Sequence, residues 1–168
     1  SRLNLGAQDA DIAIRASRNP PEHLVGQRVS ALAFAIYGPA SMAHLYNPAP
    51  TLEQLKAHSW IGMGEAIASA PPKEWMDKNL PKQVVKMTAD SFPALRRCIA
   101  AGAGVSVLPI CLGETDGRLM RLSETLQEME TSVWVLAHPD VRTSAKIRAL
   151  TQYVSRRMRE ASRIFEAV

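Results

Sequence analysis

The residues best suited to chemistry lie in one short run, Thr88-Ala89-Asp90-Ser91-Phe92. Thr88 and Ser91 carry hydroxyls that can donate hydrogen bonds. Asp90 repels an anion but can take an ammonium group, such as that of an amino acid or peptide. This is the equipment of a small-molecule site rather than of a catalyst. Asp90 and Ser91 are also good N-caps, and the local sequence leaves simple capping and ligand binding both open.

The flanking sequence states how such residues would be held. Val84 to Thr88 is β-branched and apolar, which predicts a short buried strand. Pro93 then falls in a first helical turn, where its missing N–H costs nothing. Phe92, Leu95, Cys98 and Ile99 recur at helical spacing on one face. Gly102 stands where a left-handed C-cap belongs. Val105, Val107 and Leu108 form the next strand, which Pro109 ends. Strand, helix and strand of this length make a βαβ unit with parallel strands and a right-handed crossover. In open α/β sheets, ligands gather where a strand's carboxyl end meets a helix N-terminus. Thr88 to Phe92 occupy that turn.

Other chemical signatures fail on inspection. Gly104-Val-Ser106 resembles a nucleophile elbow, but it lacks the second glycine and opens a strand instead of turning into a helix. Gly102-Ala-Gly104 closes a helix, the reverse of a dinucleotide fingerprint. His23, His44, His58 and His138 have no partners at metal-ligand spacing. Trp60, Trp75 and Trp134 read as core or interface residues. No cofactor and no metal is expected, and the chain does not read as an enzyme. A hydrolase resting on Ser91 or Ser106 is the remaining catalytic alternative.

Before the central unit, residues 3–8 look like a helix end or turn, and residues 11–16 like a strand with Arg15 at its carboxyl end. There Arg15 could reach a ligand or form a surface ion pair. Residues 18–23 form a Pro-rich loop. The apolar run 29–37 could be strand or helix, and Gly38-Pro39 stops it. A short helix follows over 41–46, ended by Asn47-Pro48, and Thr51 caps another through Leu52 and Leu55. Residues 59–63 read as a strand, 64–73 as a loop and 74–79 as a short helix.

Beyond Pro109 come a helical turn, a turn over 113–117, a short strand over 119–122 and a strong strand over 131–138, which Pro139-Asp140 breaks. The last element is a long helix capped by Thr143 or Ser144. Its apolar stripe runs through Ile147, Leu150, Val154, Met158, Ala161, Phe165 and Val168.

The 168 residues suit one domain or two small ones, and 46% hydrophobic content is enough for a core. A net charge of +4 is only mildly basic. The run Arg156, Arg157, Arg159 and Arg163 is interleaved with acids and reads as a solvated helix face. Cys98 and Cys111 read as reduced thiols of a cytoplasmic protein. No signal peptide is read and no apolar run has transmembrane length. Ser1 is not an initiator methionine and the pattern begins midway, so the chain reads as a piece of something longer.

Taken together, the motifs resemble a known family. They are Asp11-Ile-Ala-Ile-Arg15, Leu24-Val-Gly-Gln-Arg28, Thr51-Leu-Glu-Gln-Leu-Lys-Ala-His58, Asp90-Ser91, Ala101-Gly-Ala-Gly-Val-Ser-Val-Leu-Pro109 and Trp134-Val-Leu-Ala-His-Pro139, before a closing amphipathic helix. In order and spacing this is similar to the effector-binding domain of LysR-type transcriptional regulators, most of all the amino-acid and β-lactamase-control branch.

The resemblance implies an α/β, two-lobed fold of the type II periplasmic-binding-protein kind, with a small metabolite bound between lobes. Residues 1–38 plus 137–168 would form the first lobe and 39–136 the second. Arg15 and the strand end near Tyr37 would face the ligand from the first lobe. Ser59, Trp60 and Ile61 would line the second-lobe wall, beside Thr88, Asp90, Ser91 and Phe92.

Two parts of the family pattern are missing. The helix-turn-helix is absent, so DNA would be met only through that domain. The first strand, helix and second strand of lobe one are absent too, which predicts an open sheet edge and either a poorly covered first lobe or a partner chain that covers it. Self-association as a dimer or tetramer is implied, and no membrane partner. The alternative within this fold is a periplasmic solute-binding protein, which an export signal would distinguish.

Overall fold

The computed structural model describes residues 11–20, 22–45, 49–129, 131–142 and 144–166. The helix end expected at 3–8, the Asn47-Pro48 stop and a cap at Thr143 lie outside them. So do the side chains at the far end of the final helix. The chain divides into two compact units, Ser1–Leu32 with Glu130–Val168, and Ala33–Met129.

The first unit is an antiparallel sheet of β1 (Ile12–Ser17), β2 (Val25–Leu32) and β8 (Thr131–Ala137), in the order β1-β8-β2. Strand β8 is hydrophobic on both faces because it lies in the middle: Val135, Leu136 and Ala137 are all buried. Leu24 and Leu136 form a small cluster with Ala13 and Trp134, and the Trp134 indole N–H donates to the Ser17 carbonyl at 3.0 Å. Two helices follow, α5 (Pro139–Arg142) and α6 (Ala145–Glu166).

Helix α6 lies along β2, and Gln27 donates to Ser155 Oγ across that contact at 2.6 Å. Ile147, Val154 and Met158 turn toward the sheet, but Leu150 does not and is 49% exposed. At 100° per residue Leu150 stands to one side of the other three. Among the described residues, a sheet three strands wide leaves that side uncovered. Ile14 on β1 and Tyr153 on α6 are exposed as well, in keeping with the thin cover expected.

The second unit is built on β3 (Phe34–Pro39), β4 (Trp60–Met63), β5 (Val85–Ala89), β6 (Ser106–Pro109) and β7 (Leu119–Arg121). Strand β3 pairs antiparallel with β6 and β7, and β4 pairs parallel with β5. A parallel bridge at Trp60 and Val105 joins the two pieces, giving the order β5-β4-β6-β3-β7. The expected strand–helix–strand is therefore present, with α3 (Phe92–Ala100) as its helix and β4 inserted between its two strands. Leu95 and Ile99 of α3 are fully buried, as are Phe34, Trp60, Ile61 and Leu108 of the sheet.

Several elements differ from the sequence reading. The apolar run 29–37 is two strands broken at Ala33, because β2 pairs with β8 and β3 with β6. For the same reason β3 falls in the second unit and β8 in the first, so the chain passes between units at Leu32 and Met129 rather than at 38 and 136. Gly38-Pro39 does not stop the strand. It completes β3, and a 3-10 turn, Ala40–Leu45, follows.

Residues 64–73 are not all loop. A 3-10 turn spans Glu65–Ile67, and α2 (Pro71–Asn79) begins on its two prolines, as the first turn permits. Strand β5 starts at Val85 after a 3-10 turn and is an outer strand, with Lys86, Met87 and Thr88 exposed. Helices α1 (Leu52–Leu55) and α4 (Ile110–Gly113) complete the unit. Thr51 caps α1 in a capping box with Gln54.

Gly104 makes the bridge possible. Its φ is +152°, and a Cβ there would stand 2.3 Å from the Ser59 carbonyl oxygen. That oxygen accepts the Val105 N–H at 2.9 Å. Gly102 has φ +79° but open space around it. Gly104→Ala should therefore cost about 2–4 kcal/mol, against about 1 kcal/mol for Gly102→Ala. Urea unfolding measures both, and equal losses would contradict this reading.

In the turn before β7, Arg118 grips Asp116 at 2.9 and 2.8 Å. This hydrogen bonding lowers the carboxyl pKa from 3.8 to about 2. The folded value lies below the unfolded one, so the carboxylate favours folding above about pH 4 and that contribution is lost as pH falls toward 2. Asp116→Asn should flatten this acid limb. An Asp116 carboxyl that titrates near 3.8 by NMR would contradict the assignment.

Candidate functional site

Parallel pairing brings the carboxyl ends of β4 and β5 to one edge, where the chain continues into Gly64 and Asp90. The Gly64 N–H donates to the Ala89 carbonyl at 2.9 Å. The Asp90 carboxylate lies against Gly64, where a Cβ would be 2.1 Å from Oδ1. From there Oδ1 takes a long, 3.4 Å hydrogen bond from the Ala66 N–H. Asp90 thus sits over the start of the 3-10 turn Glu65–Ile67 and remains exposed. This is a favoured place for a carboxylate, since the turn's N–H groups point outward.

Ser91 is the N-cap of α3. Its extended backbone lets Oγ accept the Ala94 N–H at 3.3 Å. Pro93 has no N–H, and Ala94's is taken by the cap, so Phe92 carries the donor left among the first three helical residues. The Ser91 hydroxyl accepts in the cap and keeps its own proton to donate. The half-buried Phe92 ring stands 6.1 Å from that of Phe34, tilted by 46°. Thr88 is exposed on β5, two residues before Asp90. The edge therefore combines one carboxylate, two hydroxyls, one helix N–H and an aromatic wall. Such groups can hold a small polar molecule by its charged ends.

Within the second unit, Ser59, Trp60 and Ile61 stand apart from this edge. Trp60 and Ile61 are 0% exposed. The Trp60 indole N–H donates to the Leu55 carbonyl, and its ring lies 6.4 Å from that of Trp75. Neither offers surface to a ligand. Ser59 precedes β4 and so marks its amino end, opposite to Gly64. Its carbonyl is spent on Val105. Arg15 lies in the middle of β1 facing Trp134, not at the strand's carboxyl end, and belongs to the first unit.

Tyr37 is not a first-lobe residue at a strand end. It is buried in the second unit against Gly113 and donates to Glu114 Oε1 at 2.8 Å. Burial, and then Glu114, push its phenol pKa well above the usual value. Sequence reasoning missed Gly64 and Ala66. The only signal was Gly64 directly after a short apolar strand, where a second strand's turn could come close.

Ser106 is fully buried and donates to the Ile61 carbonyl at 2.7 Å, so it is not placed as a nucleophile. Among the described residues no group of three or more His, Cys, Asp or Glu is arranged to hold a metal ion. Cys98 and Cys111 are both free thiols.

A mixed sheet with a ligand-ready helix N-terminus at its parallel edge is the class of fold seen in type II periplasmic-binding-protein-like domains. The LysR substrate binding domain model matches residues 3–159. The chain belongs to that family and is an effector-sensing regulatory domain of the LysR type. No curated protein sequence matches it.

Solved structures agree in fold. The CrgA regulatory domain of Neisseria meningitidis is 21% identical with a TM-score of 0.71, over 94% of this chain and 80% of that one. The AmpR effector domain of Pseudomonas aeruginosa is 16% identical with a TM-score of 0.68, over 96% and 78%. The reduced OxyR regulatory domain of Pseudomonas aeruginosa is 18% identical with a TM-score of 0.69, over 93% and 75%.

The cap is directly testable. Ser91→Ala should lose about 1 kcal/mol of stability in urea, while Ser91→Asp should lose little. Equal losses would mean that the hydroxyl does not hold the helix end.

Proposed function

We propose that this chain seats a zwitterionic metabolite, an amino acid or a short peptide, at the Gly64–Phe92 edge and reports its presence to a DNA-binding regulator. Support comes from one juxtaposition: an exposed carboxylate, Asp90, next to the capped N-terminus of α3. Asp90 would take the ammonium group. Ser91 Oγ–H, Thr88 Oγ–H and the Phe92 N–H would serve the carboxylate, which the helix dipole also favours. The half-buried Phe92 ring would meet an apolar side chain.

The two units are read as the two regulatory lobes. The ligand acts by favouring whichever arrangement of the regulator gives it better contacts, and can shift that balance only by its difference in affinity. The regulator works in the cytoplasm as a dimer or tetramer and meets DNA through a helix-turn-helix domain. Among the described residues no helix is long and apolar enough to cross a membrane.

Calorimetric titration of the intact regulator with amino acids, dipeptides and small anions tests this. At least one zwitterion should bind, and Asp90→Asn should weaken it about tenfold, the loss of one charge-assisted hydrogen bond at an exposed site. Silence across the panel, or unchanged affinity in Asp90→Asn, would overturn the proposal.

A further inference from the structure

The backbone at Gly64 does not call for a glycine. The residue ends β4 and opens the turn Glu65–Ile67 with φ −76° and ψ 178°, an extended conformation open to any residue. Its N–H donates to the Ala89 carbonyl, which any residue but proline could do. What glycine alone provides there is room. A Cβ would stand 2.1 Å from Asp90 Oδ1 and 2.9 Å from Asp90 Cγ. The Asp90 carboxylate thus fills the space of the side chain that Gly64 lacks.

On the reading of the edge given above, we propose that Gly64 is its positioning residue and sets its preference for an ammonium group, by giving the Asp90 carboxylate a seat. Parallel pairing puts Gly62 opposite Thr88 and Met63 opposite Ala89, so Gly64 comes level with Asp90. The hydrogen bond from Ala66, at 3.4 Å, is the only one to this carboxylate among the described residues. A bond that long holds an exposed side chain poorly, so the fit against Gly64 has to fix it. With alanine at 64, Oδ1 would have to retreat by more than an ångström to reach ordinary contact. A binding group loses its geometry over about half that distance. The close approaches at Gly104 and Gly113 admit backbone and the Tyr37 ring. At Gly64 the group admitted is a carboxylate, so closing the seat moves the charge that a ligand meets.

Two sets of measurements test this. The first needs no ligand. Gly64→Ala should lower the urea midpoint of the otherwise native chain, but not that of an Asp90→Ala chain, where the clash is gone. An equal drop in both backgrounds would overturn the proposal. The second titrates the chain with L-leucine and with 4-methylpentanoate, the same body without the ammonium group, followed by NMR at the amides of Gly64 to Ala66 and Asp90 to Phe92. Gly64→Ala should weaken leucine about tenfold, the loss expected for Asp90→Asn, and should leave 4-methylpentanoate bound at least as tightly. Added to Asp90→Asn, it should weaken leucine by less than about twofold more, since both changes act on one group. Equal weakening of the two compounds, or native affinity for leucine in Gly64→Ala, would each overturn the proposal. Leucine that gives no saturable shifts in the native chain would count against the zwitterion reading, and the urea midpoints would still decide the seat.

Discussion

Two backbone hydrogen bonds hold the second unit to one plan. Val105 N–H donates to the Ser59 carbonyl and Ile61 N–H to the Val105 carbonyl, both at 2.9 Å. They seat β4 between β5 and β6 and make the three run parallel at that point. Gly104 lets the chains approach this closely, and the buried Ser106 hydroxyl adds a third tie to Ile61. With β4 in the middle, α3 must cross over it, and its N-terminus must stand where β4 and β5 end. Gly104 thus helps to shape the Gly64–Phe92 edge without belonging to it.

What was legible in the sequence was local. The capped start of α3 needs only Ser91, Pro93 and the spacing of Phe92, Leu95 and Ile99. The left-handed stop at Gly102 and the capping box at Thr51 are equally self-contained. The family motifs carried the fold further than periodicity could. What escaped depended on partners distant in the chain. Nothing near Trp60 states which end of β4 meets α3, and only the family resemblance sets the core residues Trp60 and Ile61 in a wall. Nothing near Ala33 states that the strands on either side join different sheets. Nothing near Val85 states that β5 has a neighbour on one side alone. Arg15 was placed one turn of the pleat too near its strand's end because boundaries of short strands shift by a residue or two.

The site's chemistry follows from restraint in the number of donors. A helix N-terminus with several open N–H groups would favour an anion. Here the proline and the serine cap leave Phe92's, and Asp90 adds a negative charge beside it. Under the proposed function, this combination suits a molecule with both signs of charge. In the reading proposed above, the edge would serve a LysR-type sensor, which has to distinguish its ligand and release it.

Hydrogen exchange tests the structural claim on which this account rests. The amides of Val105 and Ile61 should exchange as slowly as those of β3 and β6, opening only with the whole unit. If they exchange by local opening while β3 and β6 stay protected, β4 and β5 are a separate flap. The edge at Gly64 and Asp90 would then not be held against α3.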